Sequence, residues 1–214
     1  MEHERFERLT LRLRAGFESQ AGALDAELTA YGQLRAVCEA TDHEACLATV
    51  HVELATLAGN QGRVQAGLDH ARAAQRYAAQ AGVERSQRKA MAVLADVHLT
   101  AGDLPPCQAL AEQLLAASRK ALDPYQERYA LMLLGAVAMR RGDATTARAR
   151  FAEVYELGRR TGETALRALA RHFEGRAVLD AVRDAATAVG LFDQAAALYR
   201  AVNDRNGEAN ALRG

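Results

Sequence analysis

Residues 140–151 have the sequence RRGDATTARARF, and the glycine in this stretch marks an internal repeat. Gly62, Gly102 and Gly142 are evenly spaced, forty positions apart. A fixed period of this length is typical of repeat proteins, in which each unit packs mainly against its neighbours. The spacing therefore predicts a repeat architecture and makes the glycine the reference point for the rest of the chain.

The tripeptide Arg141-Gly142-Asp143 raises two other interpretations of this stretch. A cell-adhesion signal requires an extracellular protein, and the charged amino terminus lacks the apolar region of a signal peptide. A phosphate-binding loop needs several convergent backbone N–H groups and usually a lysine, and the sequence of 140–151 indicates neither feature. Gly102-Asp103 has the same place one repeat earlier without a preceding arginine. We therefore predict that Gly142 ends one helix and that Asp143 caps the next.

The series extends in both directions from these three glycines. Gly22 lies forty positions before Gly62, and Gly190 lies forty-eight positions after Gly142. With Gly190 as the last turn, the final repeat has eight extra residues, and 163–189 forms either one long helix or two broken ones.

Apolar residues recur at helical spacing on both sides of each glycine. This pattern predicts two helices per repeat, joined at the glycine, with a second break about twenty residues later at Gly82, at 122–124 and at Gly162. The repeated positions are Leu54, Leu94, Leu134 and Val182 eight before the glycine; Ala55, Ala95 and Gly135 seven before; Gly67, Cys107, Ala147 and Ala195 five after; and Ala71, Ala111, Phe151 and Tyr199 nine after.

Composition supports an all-α fold and excludes several functional classes. Half of the residues are apolar with few aromatics, which suits closely packed helices, and no alternating runs of Val and Ile indicate strands. The 27 basic and 27 acidic residues balance, which argues against a nucleic-acid binder. The longest strongly apolar run, 129–139, is too short to span a membrane, which takes about 20 residues. Three irregularly spaced cysteines imply no disulfide framework, so we expect a soluble, cytoplasmic protein.

These repeats resemble the tetratricopeptide repeat family. The resemblance rests on four features counted from the glycine of each turn: a small residue seven positions before it, the Gly-Asp turn itself, a small residue five positions after it and an aromatic residue nine positions after it. The best single match is 189–202, VGLFDQAAALYRAV. It implies an all-α, right-handed superhelical array of antiparallel helix pairs, with about five helical hairpins. The period of forty positions exceeds the family's usual period of about 34 residues, which implies longer helices.

We expect one helical-repeat domain over 1–214, either complete or as a segment of a longer chain, with a polar first repeat acting as a cap. The predicted repeats cover approximately 3–41, 42–82, 83–122, 123–162 and 163–204, followed by a partial or capping helix at 205–214.

A metal site finds little support in the residue pattern. Cys38, His43 and Cys46 lie close together, and His51 is a fourth candidate ligand, but their spacing matches no zinc pattern. We therefore interpret the group as two half-buried thiols and a turn histidine, and predict that no metal is bound.

Catalytic and cofactor sites find no better support. His98 and Asp96 lie on different faces of one helix, so they do not form a catalytic dyad. The motifs of serine hydrolases, nucleotide-binding loops and zinc proteases are missing from the sequence. We predict that the protein is not an enzyme and binds no cofactor.

The resemblance also implies a ligand groove along the first helices of the repeats. Positions ten and six before each glycine lack the Lys and Asn pairs with which some family members bind a peptide carboxylate. An apolar groove with a few acids remains, suited to an apolar peptide or helix that could also be basic. The alternative is that these side chains simply pack in the core. The predicted groove residues are Val52, Thr56, Ala92, Asp96, Leu99, Met132, Ala136, Met139, Arg140, Asp180 and Asp184.

The first functional hypothesis is therefore a scaffold that binds a protein or peptide on the concave face of the array. The alternatives are a ligand- or peptide-sensing domain of a signalling or transcription regulator, and a homo-oligomerisation module that forms a homodimer. No nucleic-acid or membrane partner is expected.

Overall fold

The computed structural model describes residues 7–11, 13–16 and 24–213, with the side chains of 181 and 182 excepted. The described chain consists of α-helices joined by short turns, without strands, which confirms the predicted fold class. Residues 7–11 and 13–16 are helical, whereas the predicted turn at Gly22 lies outside the described residues. The later helices are α1 (Leu24–Ala40), α2 (Glu44–Asn60), α3 (Val64–Gln80), α4 (Glu84–Ala101), α5 (Leu104–Lys120), α6 (Pro124–Arg140), α7 (Ala144–Thr161), α8 (Thr164–Val182), α9 (Ala185–Ala201) and α10 (Arg205–Ala211).

A residue with positive φ lies at each turn between consecutive helices from α1 to α10. Six of these helices, α1, α2, α3, α5, α6 and α9, have the same length of seventeen residues. A short connection of about three residues follows each of them, so a helix with its turn makes half of the repeat period. The left-handed conformation ends each helix and lets the chain reverse. The residues with positive φ are Asp42, Gly62, Gly82, Gly102, Leu122, Gly142, Gly162, Arg183 and Asn203.

The turn at Gly142 has the predicted arrangement. Gly142 has a φ of +73°. Its N–H donates to the carbonyl of Met139 at 2.9 Å, and the N–H of Asp143 donates to the carbonyl of Ala138 at 2.9 Å. The Asp143 carboxylate then accepts the backbone N–H of Thr146 at 3.0 Å, which caps α7. The Arg-Gly-Asp tripeptide is thus the junction between two helices.

The prediction that Gly190 forms the last turn is wrong. Gly190 lies inside α9, and the chain turns instead at Arg183, whose φ is +54°. The segment 163–189 therefore contains two helices, α8 and the start of α9. The residue in the left-handed conformation is an arginine at this turn. The spacing of the glycines therefore points to Gly190, the next glycine along the chain.

Two glycine–phenylalanine contacts show that the last repeat has one extra residue rather than eight. A Cβ added to Gly135 would lie 2.5 Å from Phe151, and one added to Gly175 would lie 2.7 Å from Phe192. Gly175 follows Gly135 by one full period and is therefore its equivalent. The extra residue falls between Gly175 and the turn, since Arg183 follows Gly142 by one position more than the period.

The chain divides into two compact units, Met1–Asp103 and Leu104–Gly214, called here the N-terminal and C-terminal units. In the N-terminal unit each of the helices α1 to α4 packs against the next, and α2 also contacts α4. In the C-terminal unit the same consecutive packing runs from α5 to α10. Alanine and leucine supply most of the buried side chains, which lets the helices approach closely.

Replacing Gly142 by alanine is expected to lower the free energy of unfolding by about 1 kcal/mol, because a Cβ is unfavourable at positive φ. Urea unfolding followed by circular dichroism measures the change. Gly32 is the matched control, since it lies exposed within α1 and alanine there should raise stability by roughly 0.5–1 kcal/mol. A gain in stability for both variants would contradict the turn geometry.

Candidate functional site

In the N-terminal unit the predicted groove residues lie on two helices that contact each other, α2 and α4. Val52 and Thr56 on α2 are half-buried, as are Asp96 and Leu99 on α4, whereas Ala92 is buried at 6% exposure. The Thr56 hydroxyl donates to the carbonyl of Val52 at 3.0 Å, so it is already used within its own helix. These side chains offer a narrow, weakly polar surface, and their role in a groove stays a prediction.

In the C-terminal unit the predicted groove residues of α6 lie beside a cluster of apolar side chains. Met132 and Met139 are half-buried and, with Phe173 of α8, pack against the core cluster around Phe151. Ala136 is half-buried and Arg140 is exposed. The two methionines therefore contribute partly to the core and keep part of their surface available.

The predicted equivalence of Asp180 and Asp184 to Met132 and Ala136 is wrong, because it followed from the turn assigned to Gly190. Asp184 caps α9 and accepts the hydroxyl and backbone N–H of Thr187 at 2.6 and 3.1 Å, and these bonds hold the pKa of its carboxyl below the usual value. Asp180 lies in the last turn of α8, at the position that Arg140 has one repeat earlier, and its carboxylate is 3.7 Å from Arg176.

The corrected register places two other side chains at the groove positions of the last repeat. With Gly175 equivalent to Gly135, His172 and Arg176 take the positions that Met132 and Ala136 have one repeat earlier. His172 is half-buried, with its ring 5.6 Å from that of Phe192, and burial lowers the pKa of its imidazole. The last repeat therefore offers an aromatic and a cationic side chain at the positions where two acids were predicted.

An open cavity of about 500 Å³ lies between the first turns of α6 and α8 in the C-terminal unit. Met132 is the predicted groove residue that lines it. We call it the tyrosine cavity, and its lining is Tyr125, Arg128, Tyr129, Met132, Glu163, Ala165, Leu166, Leu169 and Tyr199.

Aromatic and aliphatic side chains form most of this lining, and the two charged ones neutralise each other. Tyr125 is 57% exposed, and the Arg128 guanidinium lies 4.4 Å from the centre of its ring. Arg128 also donates to Glu163 at 3.1 Å. The cavity thus combines an apolar floor with a planar cation–aromatic rim, which suits an apolar or aromatic side chain of a partner.

The other residues of the tyrosine cavity were missed from the sequence for two reasons. Tyr129 lies three positions before Met132, and Leu169 follows Tyr129 by one period of forty positions, so both belong to a repeated row that the sequence contains but that was not used. Tyr199 comes from the end of α9, and only the packing of α9 against α8 brings it to the cavity. Helical spacing predicts a shared face, but not which helix ends meet.

An ion pair and a cation–aromatic contact link α7 to α8 in the same unit. Glu174 is buried at 7% exposure and accepts from Arg171 at 2.6 Å, and Arg148 of α7 lies 3.6 Å away. The Arg171 guanidinium also lies 4.0 Å from the ring centre of Tyr155 on α7. Because the glutamate is paired with two arginines, its burial is compensated and the two helices are held in register.

The residues weighed as catalytic or metal-binding candidates have other partners. His98 contacts the turn residue Asp103, with its Nδ1 3.2 Å from Oδ2. The expectation that Cys38 and Cys46 are separate thiols is wrong, since they form a disulfide. His43 caps α2 by accepting the backbone N–H of Cys46 at 3.2 Å. Within the described residues, no group of three or more His, Cys, Asp and Glu side chains is placed to hold a metal ion.

His51 pairs with His70, Nδ1 to Nδ1 at 3.1 Å, and its ring stacks on Tyr77 with centroids 5.4 Å apart. Burial, with smaller effects from His70, Arg35 and Arg76, lowers the pKa of His51 to about 4. The imidazole is therefore neutral near pH 7 and serves as part of the packing between α2 and α3.

None of the described helices combines the length and apolar character needed to cross a bilayer.

Known proteins are similar to this chain in fold. A crystal structure of the nearly identical tetratricopeptide-like repeats of a kinesin light chain from Podosopora anserina, described as putative, has a TM-score of 0.73 at 20% identity, covering 95% of this chain and 99% of that one. The apo form of RapI gives 0.79 at 10% identity, covering 96% and 74%. A Rap protein complexed with Competence and Sporulation Factor gives 0.65 at 11% identity, covering 97% and 73%.

No protein-family model and no curated protein sequence matches the chain. At these identities the structural likeness establishes the fold alone. Together with the paired helices, the left-handed turns and the small residues at helix contacts, it shows that the chain has a tetratricopeptide-like α-solenoid fold.

Proposed function

We propose that the protein is a non-enzymatic interaction scaffold, and that the tyrosine cavity receives an apolar or aromatic side chain of a peptide or protein partner. The observation that supports this most directly is an open, largely apolar cavity whose rim carries a tyrosine that is 57% exposed. Partly exposed aromatic residues beside an apolar depression are typical of interaction hot spots.

The charges of the site favour a neutral segment over a basic one. The acids Asp180 and Asp184 belong to a helix end and a cap, and Glu163 is paired with Arg128. An uncompensated positive charge on the partner would therefore find no free carboxylate among these three residues. We infer that the partner segment is apolar.

The fold likeness gives this proposal a precedent. One of the similar structures is a Rap protein in complex with Competence and Sporulation Factor. Stacked helical repeats present extended surfaces on which a segment of another chain can lie. For the present chain, the proposal places that contact on α6 and α8, where the tyrosine cavity opens.

The first binding test uses random twelve-residue peptides displayed on phage and selected on the immobilised full chain. Replacing Tyr125 by alanine is expected to weaken the selected peptides about tenfold, since truncating an interface aromatic costs about 1.4 kcal/mol or more. Met132→Glu should weaken them further, because it places a charge in the apolar floor. Fluorescence polarisation with labelled peptides measures both affinities.

Leu122→Ala is the matched control. Leu122 is 87% exposed, lies just before α6 and does not line the cavity. Its variant should bind with wild-type affinity. Peptides that bind the Tyr125 and Met132 variants as tightly as the wild type would place the contact elsewhere and refute the proposal, as would the failure of the selection to yield any binder.

A further inference from the structure

The disulfide in the N-terminal unit joins two sulfur atoms of very different accessibility. Cys38 lies near the end of α1 and is fully buried, whereas Cys46 lies in the first turn of α2 and is half-buried. The two residues are eight positions apart, on either side of the turn at Asp42, with Cα atoms 5.9 Å apart. A reagent from solution therefore reaches the sulfur of Cys46 before that of Cys38.

An open cavity of about 440 Å³ is lined in part by Cys46. Residues that line it include Arg8, Leu9, Leu34, His43, Cys46 and Thr49. We call it the cysteine cavity. It gives a small molecule a place to lie in contact with Cys46, which an isolated surface disulfide does not provide.

The surroundings of Cys46 favour a negative charge on its sulfur. The first turn of a helix carries a partial positive charge, which stabilises a thiolate. His43 caps the same turn through its hydrogen bond to the Cys46 N–H at 3.2 Å. Arg8 adds a guanidinium to the cavity and is positioned by a hydrogen bond from Nη1 to the Thr41 hydroxyl at 3.3 Å.

We propose that Cys46 and Cys38 form a thiol–disulfide exchange site, in which a small thiol carrying carboxylates occupies the cysteine cavity and reacts at Cys46. The greater accessibility of Cys46, the adjoining cavity and the cation that lines it support this assignment together. Cys38 is the resolving cysteine, since its sulfur meets that of Cys46 and is closed to solvent.

The reaction balances without any further reagent. The thiolate of the small molecule attacks Sγ of Cys46, the bond to Cys38 breaks, and Cys38 takes up the proton that the small thiol lost. A second small thiol then attacks the mixed disulfide and releases Cys46 and the small disulfide. Two electrons pass from two small thiols to the protein, and the reverse sequence oxidises the protein with the small disulfide as oxidant.

Single-cysteine variants of the full chain separate the two sulfur atoms. In Cys38→Ser with Cys107→Ser, oxidised glutathione should form a mixed disulfide at Cys46, detected by the mass of the intact protein. In Cys46→Ser with Cys107→Ser, Cys38 should react at least tenfold more slowly, because it is buried. Cys107 is removed from both variants because it is a third, buried cysteine outside the disulfide, and circular dichroism checks that each variant is folded.

The charge of the probe tests the ligand class. Hydroxyethyl disulfide, which is neutral, should react with Cys46 more slowly than oxidised glutathione after correction for their rates with a free cysteine peptide. Arg8→Gln should abolish this preference while leaving the rate with the neutral probe unchanged. Equal rates at Cys38 and Cys46, no adduct at Cys46, or a preference that survives Arg8→Gln would overturn the proposal.

Discussion

Replacing Gly135 by leucine is expected to lower the free energy of unfolding by about 1–3 kcal/mol, because the site has no room for a side chain. A Cβ at this position would lie 2.5 Å from Cε1 of Phe151 and 2.6 Å from its Cζ. Phe151 is only 1% exposed, and its ring stacks on Phe173 with centroids 5.5 Å apart, so it cannot withdraw. Urea unfolding of the wild type and the variant, at one temperature, measures the difference.

Gly190 provides the matched control for this variant. It also lies within a helix, but it is exposed, and an added Cβ would meet none of the described heavy atoms within 4 Å. Gly190→Ala should therefore raise stability by roughly 0.5–1 kcal/mol, as expected for an open helical site. A melting temperature unaffected by Gly135→Leu would contradict the helix contact, and a loss of stability in Gly190→Ala would restore the turn first assigned to that residue.

The comparison of these two glycines shows how far the repeat could be predicted from sequence. The turns at Gly62, Gly102 and Gly142 were found because glycine takes positive φ without steric cost. The turn at Arg183 was missed because the packing of α8 against α9 imposes the same conformation on an arginine. Sequence identifies a left-handed position only where the residue type favours it, and tertiary contacts decide the others.

The candidate site was predicted in part for the same reason. Helical spacing placed Met132 on an accessible face of α6, and the structure brings it to the tyrosine cavity. It could not place Tyr125 or Tyr199, since the meeting of helix ends depends on the loop geometry and the tilt of the helices. The turn assigned to Gly190 placed Asp180 and Asp184 in register with Met132 and Ala136, whereas the chain turns seven positions earlier, at Arg183.

The disulfide was missed because the number and spacing of the cysteines give no indication of it. Cys46 follows Cys38 by eight positions, and a continuous helix would place them more than two turns apart. The left-handed residue Asp42 reverses the chain between them and brings their Cα atoms to 5.9 Å. Aspartate can adopt the left-handed conformation, but, unlike glycine, it does not by itself predict a turn.

Lowering the pH from 7 to 4 is expected to destabilise the protein through His51. Its pKa is lowered from 6.5 to about 4 in the folded state, mainly by burial. Between these values the unfolded chain binds a proton that the folded chain does not, so stability falls as the pH falls and levels off below the folded pKa. A full shift of this size corresponds to about 3 kcal/mol, and solvent screening of the partly accessible ring reduces the expected loss to about 1–2 kcal/mol.

His51→Leu isolates this contribution, because Leu131 has the equivalent position two repeats later and packs there as a fully buried side chain. The pKa values of His70 and His172 are also lowered by burial, and they add to the loss in the same direction. Urea unfolding at a series of pH values should therefore give a shallower profile for the variant than for the wild type. If the free energy of unfolding changes with pH in the same way for both proteins between pH 6.5 and 4, the pKa of His51 is the same in the folded and unfolded states. Its pairing with His70 and its stacking on Tyr77 would then not prevent its protonation.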